Sequence, residues 1–184
     1  MIYLKKMIMI GATARQSGKT ELACHIINKF RMKEKITGIK VTTLHEDDAA
    51  FHKSLNLPWN ENFIIEKSTV QRKNKSTDRM LAAGATETFW VHSKIEFLNE
   101  ALQQLLPMID KKSFSVCESN SLRIIAKPDV FIMIKNSSCE IKNSVSGILE
   151  LADFSVNFNG NEFNGFDLHK LNIEKGKWIY KNNH

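Results

Sequence analysis

Ile8-Met9-Ile10-Gly11-Ala12-Thr13-Ala14-Arg15-Gln16-Ser17-Gly18-Lys19-Thr20 is the stretch that decides the fold. The apolar run Met7 to Ile10 is too short for a signal peptide and passes straight into a glycine-bearing loop, so it reads as a buried strand. Behind the loop, Leu22, Ile26 and Phe30 recur every four residues with Ala23 and Ile27 beside them. That stripe predicts an amphipathic helix over about Lys19 to Lys33. Strand, loop and helix around Gly18-Lys19-Thr20 form the context of a phosphate loop. Gly18 lets the backbone pass close to a phosphate, and successive N–H groups turn inward at the positive end of the helix. Lys19 is placed to reach the β- and γ-phosphates, and the Thr20 hydroxyl to coordinate Mg²⁺. Thr13 occupies the position of the first glycine in the strict pattern, while Gly11 lies two residues earlier. The loop is therefore expected to bend differently at its start. Its nucleotide contacts are expected from Thr13, Ala14, Arg15, Gln16, Ser17, Gly18, Lys19, Thr20 and Glu21. Arg15 either adds charge near the γ-phosphate or is simply solvated.

Outward from the loop, strands and helices alternate. Ile36 to Thr43 is a β-branched strand, Phe63 to Ile65 a short extra one, and Thr77 to Ala83 a short helix stopped by Gly84. Thr88 to His92 is a strand, and Ser93-Lys94-Ile95-Glu96 has the form of a capping box opening a helix to about Met108. Ser113 to Cys117 is a strand ending at Glu118, and Asp129 to Ile134 a strongly apolar strand. Asn143 to Leu151 resembles a helix, Phe154 to Phe158 is a last strand, and the residues after Phe166 have little pattern. This order predicts a three-layer α/β phosphate-loop fold, with a mainly parallel sheet between helices. Residues 1–184 are expected to form a single nucleotide-binding domain, with no repeat or linker dividing them.

Two further segments carry candidate chemistry. Lys40 lies in an otherwise apolar strand, where a charge is costly unless paired. It is either carried towards the phosphates by a strand beside the first, or sits on an edge strand with its head in water. Just beyond it stand His45, Glu46, Asp47 and Asp48, and Asp48 is the favoured second carboxylate for Mg²⁺. Glu118 closes an apolar strand, so its oxygen should face Thr20 as a metal ligand or act as a base on a bound substrate or water. Lys19, Lys40 and Glu118 are thus the candidate catalytic residues, and Thr20, Asp48 and Glu118 the candidate metal ligands. Ser119, Asn120 and Ser121 are small and polar enough to line such a site, and Asn157 and Asn159 could meet a base. No Asn-Lys-x-Asp guanine motif occurs, so the residues leave GTP and ATP both open.

Composition narrows the class. The net charge is +6, but the lysines are interleaved with acids and the densest basic stretch, Gln71 to Lys75, lacks aromatic residues. No nucleic-acid partner is expected. Three widely spaced cysteines and the lack of any Cys-x-x-Cys argue against a disulfide framework or structural zinc. Reduced thiols fit that pattern best, so a cytoplasmic protein is expected, and no apolar run approaches a membrane span, so no membrane partner is expected.

With these pieces in hand, the chain resembles the molybdopterin-guanine dinucleotide biosynthesis protein B family. The resemblance rests on Ile8 to Thr20, Gly38-Ile39-Lys40, Thr77-Asp78-Arg79-Met80-Leu81-Ala82-Ala83-Gly84-Ala85 and Val116-Cys117-Glu118. It implies a GTP-binding accessory protein in molybdenum cofactor biosynthesis. Slow nucleotide hydrolysis, Mg²⁺, a cofactor-biosynthesis enzyme as partner and a homodimer go with it. Asp78 then matches the aspartate before the Ala-Gly motif, and Glu118 the strand-end acid. The chain also resembles dethiobiotin synthetase, which implies an ATP-dependent kinase or synthetase for a small metabolite, with Thr20, Lys40, Asp48 and Glu118 in its site.

Overall fold

In the computed structural model, residues 1–14, 16–44, 62–69, 75–136 and 145–181 are described. The strands are β1 (Ile2–Ala12), β2 (Ile36–Leu44), β3 (Phe63–Ser68), β4 (Glu87–Lys94), β5 (Phe114–Glu118), β6 (Ala126–Asn136), β7 (Phe154–Phe158), β8 (Phe163–Asn164), β9 (Leu171–Glu174) and β10 (Lys177–Tyr180). The helices are α1 (Lys19–Phe30), α2 (Ser76–Ala82), α3 (Leu98–Leu105), α4 (Leu122–Ile125) and α5 (Ser146–Leu149). Eight strands form one sheet in the order β3-β4-β2-β5-β1-β6-β7-β8. From β4 to β7 every neighbouring pair is parallel, and β3 and β8 run antiparallel at the two edges.

Both faces of the sheet are covered, which is why the central strands read as continuous apolar runs. Ile8, Ile10 and Ala12 of β1 pack with Leu22, Ala23, Ile26, Ile27 and Phe30 of α1 and Met80 of α2. Their neighbours in sequence, Met7 and Met9, point the other way and meet Leu98, Ala101, Leu102 and Leu105 of α3. The expected three layers are therefore present: helices, mainly parallel sheet, helices.

Several boundaries differ from expectation for identifiable reasons. The first helix ends at Phe30 rather than Lys33. Ser93 is no cap: it is buried within β4, which stays paired out to Leu44↔Lys94 on one side and Phe63↔Ser93 on the other. Its hydroxyl donates to the Lys94 carbonyl at 2.8 Å, and the following helix starts as a 3₁₀ turn, Ile95–Phe97. Tertiary pairing outweighs a local capping signature here. Lys40 is not on an edge, because β2 lies between β4 and β5. The helix expected over 143–151 is short, Ser146–Leu149, with its first two positions outside the described residues.

The region after Phe166 folds as an antiparallel hairpin of β9 and β10 that the sequence pattern did not reveal. Trp178 of this hairpin is 1% exposed and meets Phe30 and Phe114 edge-on at ring separations of 4.9 and 5.5 Å. Its indole N–H donates to the Lys6 carbonyl at 3.1 Å. Asp129 Oδ2 accepts the backbone N–H groups of Lys6 and Trp178 at 2.9 and 3.1 Å, tying the hairpin to β1 and β6. Lys6 has a left-handed φ of 60° where the β1–β6 register shifts, and that kink presents its carbonyl to the indole.

Candidate functional site

The parallel strands end together at one rim, where ligands bind in open α/β sheets. Their register sets three residues side by side: Glu118 is opposite Ile10 on β1 and opposite Lys40 on β2. The rung lies beside the loop that leaves β1, and α1 begins just past that loop at Lys19.

The loop is fixed at its start by the turn after β5 and by β6. Asn120 makes a two-point contact with Ala12: its Oδ1 accepts the Ala12 N–H at 2.8 Å and its Nδ2 donates to the Ala12 carbonyl at 2.9 Å. A side chain on Gly11 would bring a Cβ to 2.8 Å from that same Oδ1, so glycine is needed at this close approach. The Thr13 N–H donates to the Ile134 carbonyl at 2.9 Å, and its hydroxyl accepts the Asn136 N–H at 3.3 Å. Thr13 thus ties the loop to β6 in the place where the strict pattern has glycine. Further along, the Ser17 hydroxyl donates to the Ala14 carbonyl at 2.6 Å, and Gln16 and Gly18 take left-handed φ values of 54° and 74°. The Leu22 N–H donates to the Gly18 carbonyl at 2.9 Å and starts the helix. Gly18 lies against an aromatic pair, since a Cβ there would sit 3.0 Å from Phe163 and 3.1 Å from Phe158. Those rings stack on each other at 4.7 Å.

Around Lys19 the side chains converge. Glu118 is 3% exposed, and its Oε1 has no hydrogen-bond partner among the described residues. Burial pushes its carboxyl pKa up; the charge of Lys40, a hydrogen bond from Thr20, and the charges of Lys19 and Arg79 pull it back, in that order. The Thr20 hydroxyl also lies 3.2 Å from Ser76 Oγ, and Lys40 Nζ donates to the same Ser76 oxygen at 2.8 Å. Ser76 therefore bridges Thr20 and Lys40. Lys40 Nζ also lies 5.4 Å from the centre of the Trp90 ring, Lys75 Nζ lies 4.5 Å from it, and the indole N–H donates to Thr42 Oγ1 at 3.2 Å.

Of the sequence candidates, Thr20, Lys40 and Glu118 are brought into one cluster, Ala14, Ser17 and Gly18 lie in the loop beside it, and Lys19 opens α1. Glu21 is half-buried in the first turn of α1. Arg15, Asp47 and Asp48 fall outside the described residues. Asp78 is buried, and its Oδ2 accepts the Lys75 backbone N–H at 3.3 Å, so it closes the start of α2. Asn120 braces the loop rather than lining a cavity. Ser119 is buried, and its Oγ accepts the Leu122 N–H at 3.0 Å. Asn159 Oδ1 accepts the N–H groups of Asn161 and Glu162 at 2.9 and 2.8 Å, so it builds the β7–β8 turn.

Ser76 and Trp90 were not singled out by sequence reasoning, and Lys75 entered it only as the end of the basic stretch Gln71 to Lys75, read as solvated. Ser76 precedes Thr77-Asp78 in the way of a helix start, which is the one signal it carried. Trp90 reads as an ordinary apolar strand residue until its neighbours are known.

Among the described residues, no helix is long and apolar enough to cross a membrane. No protein-family model matches the chain. No curated protein matches it either. Among solved structures, the chain is similar to one described as the "apo" form of LpxK from Aquifex aeolicus in complex with ATP. The TM-score is 0.48 at 12% identity, covering 88% of this chain and 52% of that one, so the chain spans about half the length of that protein. A likeness of this degree speaks to neither substrate nor activity. By its own topology, the chain is a three-layer α/β protein with a mainly parallel sheet, whose opening strand passes through a braced loop into a helix starting at Lys19.

Proposed function

We propose that the chain binds a nucleoside triphosphate with Mg²⁺, its phosphates cradled by the loop from Thr13 to Thr20 and reached by Lys19. The observation that carries this reading is the buried Glu118 carboxylate, with one oxygen lacking a partner, next to Thr20 and Lys40. A dry carboxylate beside several cations is a poor structural device, because desolvation costs more than the surrounding charges return. It is a good one if a hard cation completes it. The Thr20 hydroxyl and Glu118 offer oxygen donors of the kind Mg²⁺ prefers, and Asp48 is the proposed second carboxylate. When bound, the ion would neutralise charge on the β- and γ-phosphates. The loop N–H groups and Lys19 would orient the phosphates, and Lys40 would place a second positive charge near the γ-phosphate. Where water or a hydroxyl attacks, Glu118 is the candidate base that holds the proton at a carboxylate oxygen.

At finer grain, the resemblance to the molybdopterin-guanine dinucleotide protein B family supports a GTP-binding accessory role in molybdenum cofactor biosynthesis with slow hydrolysis. A second reading is an ATP-dependent kinase or synthetase for a small metabolite, and the Lys40–Ser76 contact favours it, because it equips the rim beyond the phosphates. Thermal melting with each nucleotide separates these readings. Protection by GTP alone supports the accessory role, and ATP turnover dependent on a metabolite supports the second. Lys19→Ala should abolish the Mg²⁺-dependent rise in melting temperature while leaving the apo transition in place. An unchanged rise in that variant would falsify the role of Lys19.

A further inference from the structure

Beyond Thr20 the rim carries a second group of charges. Lys40 and Lys75 lean on one indole ring, at 5.4 and 4.5 Å from its centre. Trp90 is 9% exposed and held by its hydrogen bond to Thr42, so it is a fixed floor rather than a mobile flap. Among the described residues neither lysine is ion-paired with a carboxylate, whereas the lysines at positions 35, 67 and 181 are. Two ammonium groups drawn to one ring repel each other, so an anion that reaches both would stabilise the arrangement. Ser76 Oγ already accepts from Lys40 and lies near Thr20, and its own hydroxyl hydrogen gives the cluster a neutral donor. Beside it stands the buried, unpartnered Oε1 of Glu118, with Lys40 as the strongest charge acting on that carboxyl.

We propose that Lys40, Lys75 and Ser76, on the floor of Trp90, form the subsite of the second substrate, an anionic small molecule whose phosphate or carboxylate lies between the two ammonium groups. The inference rests on the nucleotide reading above for the word substrate, but the anion site itself is carried by this cluster alone. Phosphate and carboxylate share the chemistry that two lysines and a hydroxyl recognise, and Arg-type bidentate geometry is not required. A molecule held there would sit on the Thr20 side of the phosphate loop, next to the carboxylate suited to take a proton from it.

Calorimetric titration tests this. Protein saturated with Mg²⁺ and a non-hydrolysable triphosphate analogue is titrated with inorganic phosphate and, separately, with succinate. One saturable site is expected for at least one of them, and the stronger of the two identifies the anion class. Lys75 is exposed, so Lys75→Met should fold normally and weaken that site about tenfold, as loss of one charge-assisted contact does. Lys75→Arg should restore most of the affinity. If the loaded protein binds neither anion, or binds one equally well in Lys75→Met, the subsite is refuted while nucleotide binding stands. If the analogue itself does not bind, the same titrations on Lys19→Ala decide. An anion site still weakened by Lys75→Met upholds the subsite and refutes the nucleotide reading, and an insensitive one refutes both.

Discussion

Glu118 concentrates the tension between stability and chemistry in one side chain. Its carboxyl pKa is raised above the ordinary 4.5, chiefly by burial. A raised acid contributes nothing unfavourable while protonated in both the folded and unfolded chain. As pH climbs from 4.5 through the folded-state value, the unfolded chain ionises first and the folded chain loses stability relative to it. Glu118→Gln keeps the shape and removes the charge. The apo variant should match the native chain near pH 4 and be more stable by about 1–3 kcal/mol at pH 8, the cost of a buried charged group left incompletely paired. Urea melts at the two pH values check this, and equal stabilities at pH 8 would refute it. The same variant should lose Mg²⁺-dependent nucleotide stabilisation if the proposed metal role holds. At this scale the sequence was informative where an ionisable residue closed or interrupted an apolar strand, as with Lys40 and Glu118. It was silent on Ser76 and Trp90, because a serine at a helix start and a tryptophan in a strand are both commonplace. Only the register of β2 against β4 and the approach of α2 bring them to the site.

At the scale of elements, the loop from Thr13 to Gly18 shows how a departure from a motif is absorbed. Glycine is missing from the first motif position, and Thr13 instead binds β6 through its N–H and its hydroxyl. Asn120 braces Ala12 from the other side. The bracing residues could not be found from spacing, since both contacts link positions more than a hundred residues apart. The strand and helix on either side of the loop were legible, because hydrophobic periodicity is a local signal. The capping box at Ser93 misled for the converse reason: its local signal competed with sheet pairing and lost. Gly18 is where the loop is least tolerant. Its φ of 74° disfavours any side chain, and a Cβ would press on two stacked phenylalanines at 3.0–3.1 Å. Gly18→Ala should therefore cost about 1–2 kcal/mol from backbone strain alone. It should also shift Phe158 and Phe163 and weaken nucleotide binding at least tenfold, because the N–H groups of a phosphate loop must share one direction. Melting and nucleotide titration on one sample read both effects; full affinity in Gly18→Ala would mean that the phosphates bind elsewhere.

Across the whole molecule, chemistry and consolidation occupy opposite ends of the parallel strands. The candidate site lies at their carboxyl ends, while the β9–β10 hairpin closes the other end through Trp178. This hairpin lay in the part of the sequence without helical or strand periodicity, since two four-residue strands paired only with each other leave too short a pattern to read. Its aromatic residues are nonetheless structural: Trp178 fills the gap between the end of α1 and the start of β5, and its indole and backbone N–H groups are both bonded. Trp178→Ala should cost about 3–5 kcal/mol, as large-to-small changes of a buried aromatic residue do. For a domain of ordinary stability, about 5–15 kcal/mol, that is a large share but not all of it. Because the hydrogen bonds and ring contacts of Trp178 among the described residues go to Lys6, Asp129, Phe30 and Phe114 and not to the loop from Thr13 to Gly18, the folded variant should bind nucleotide with native affinity. Saturating ligand should then restore part of the lost stability, about 2.7 kcal/mol at a hundred times the dissociation constant. Chemical denaturation with and without Mg²⁺ and nucleotide measures both quantities. Parallel shifts of native and variant curves on adding ligand are the expected result, since two sites that share no contacts contribute additively. A ligand effect markedly smaller in the variant would mean that the two ends are coupled through α1, which runs from the phosphate loop to Trp178.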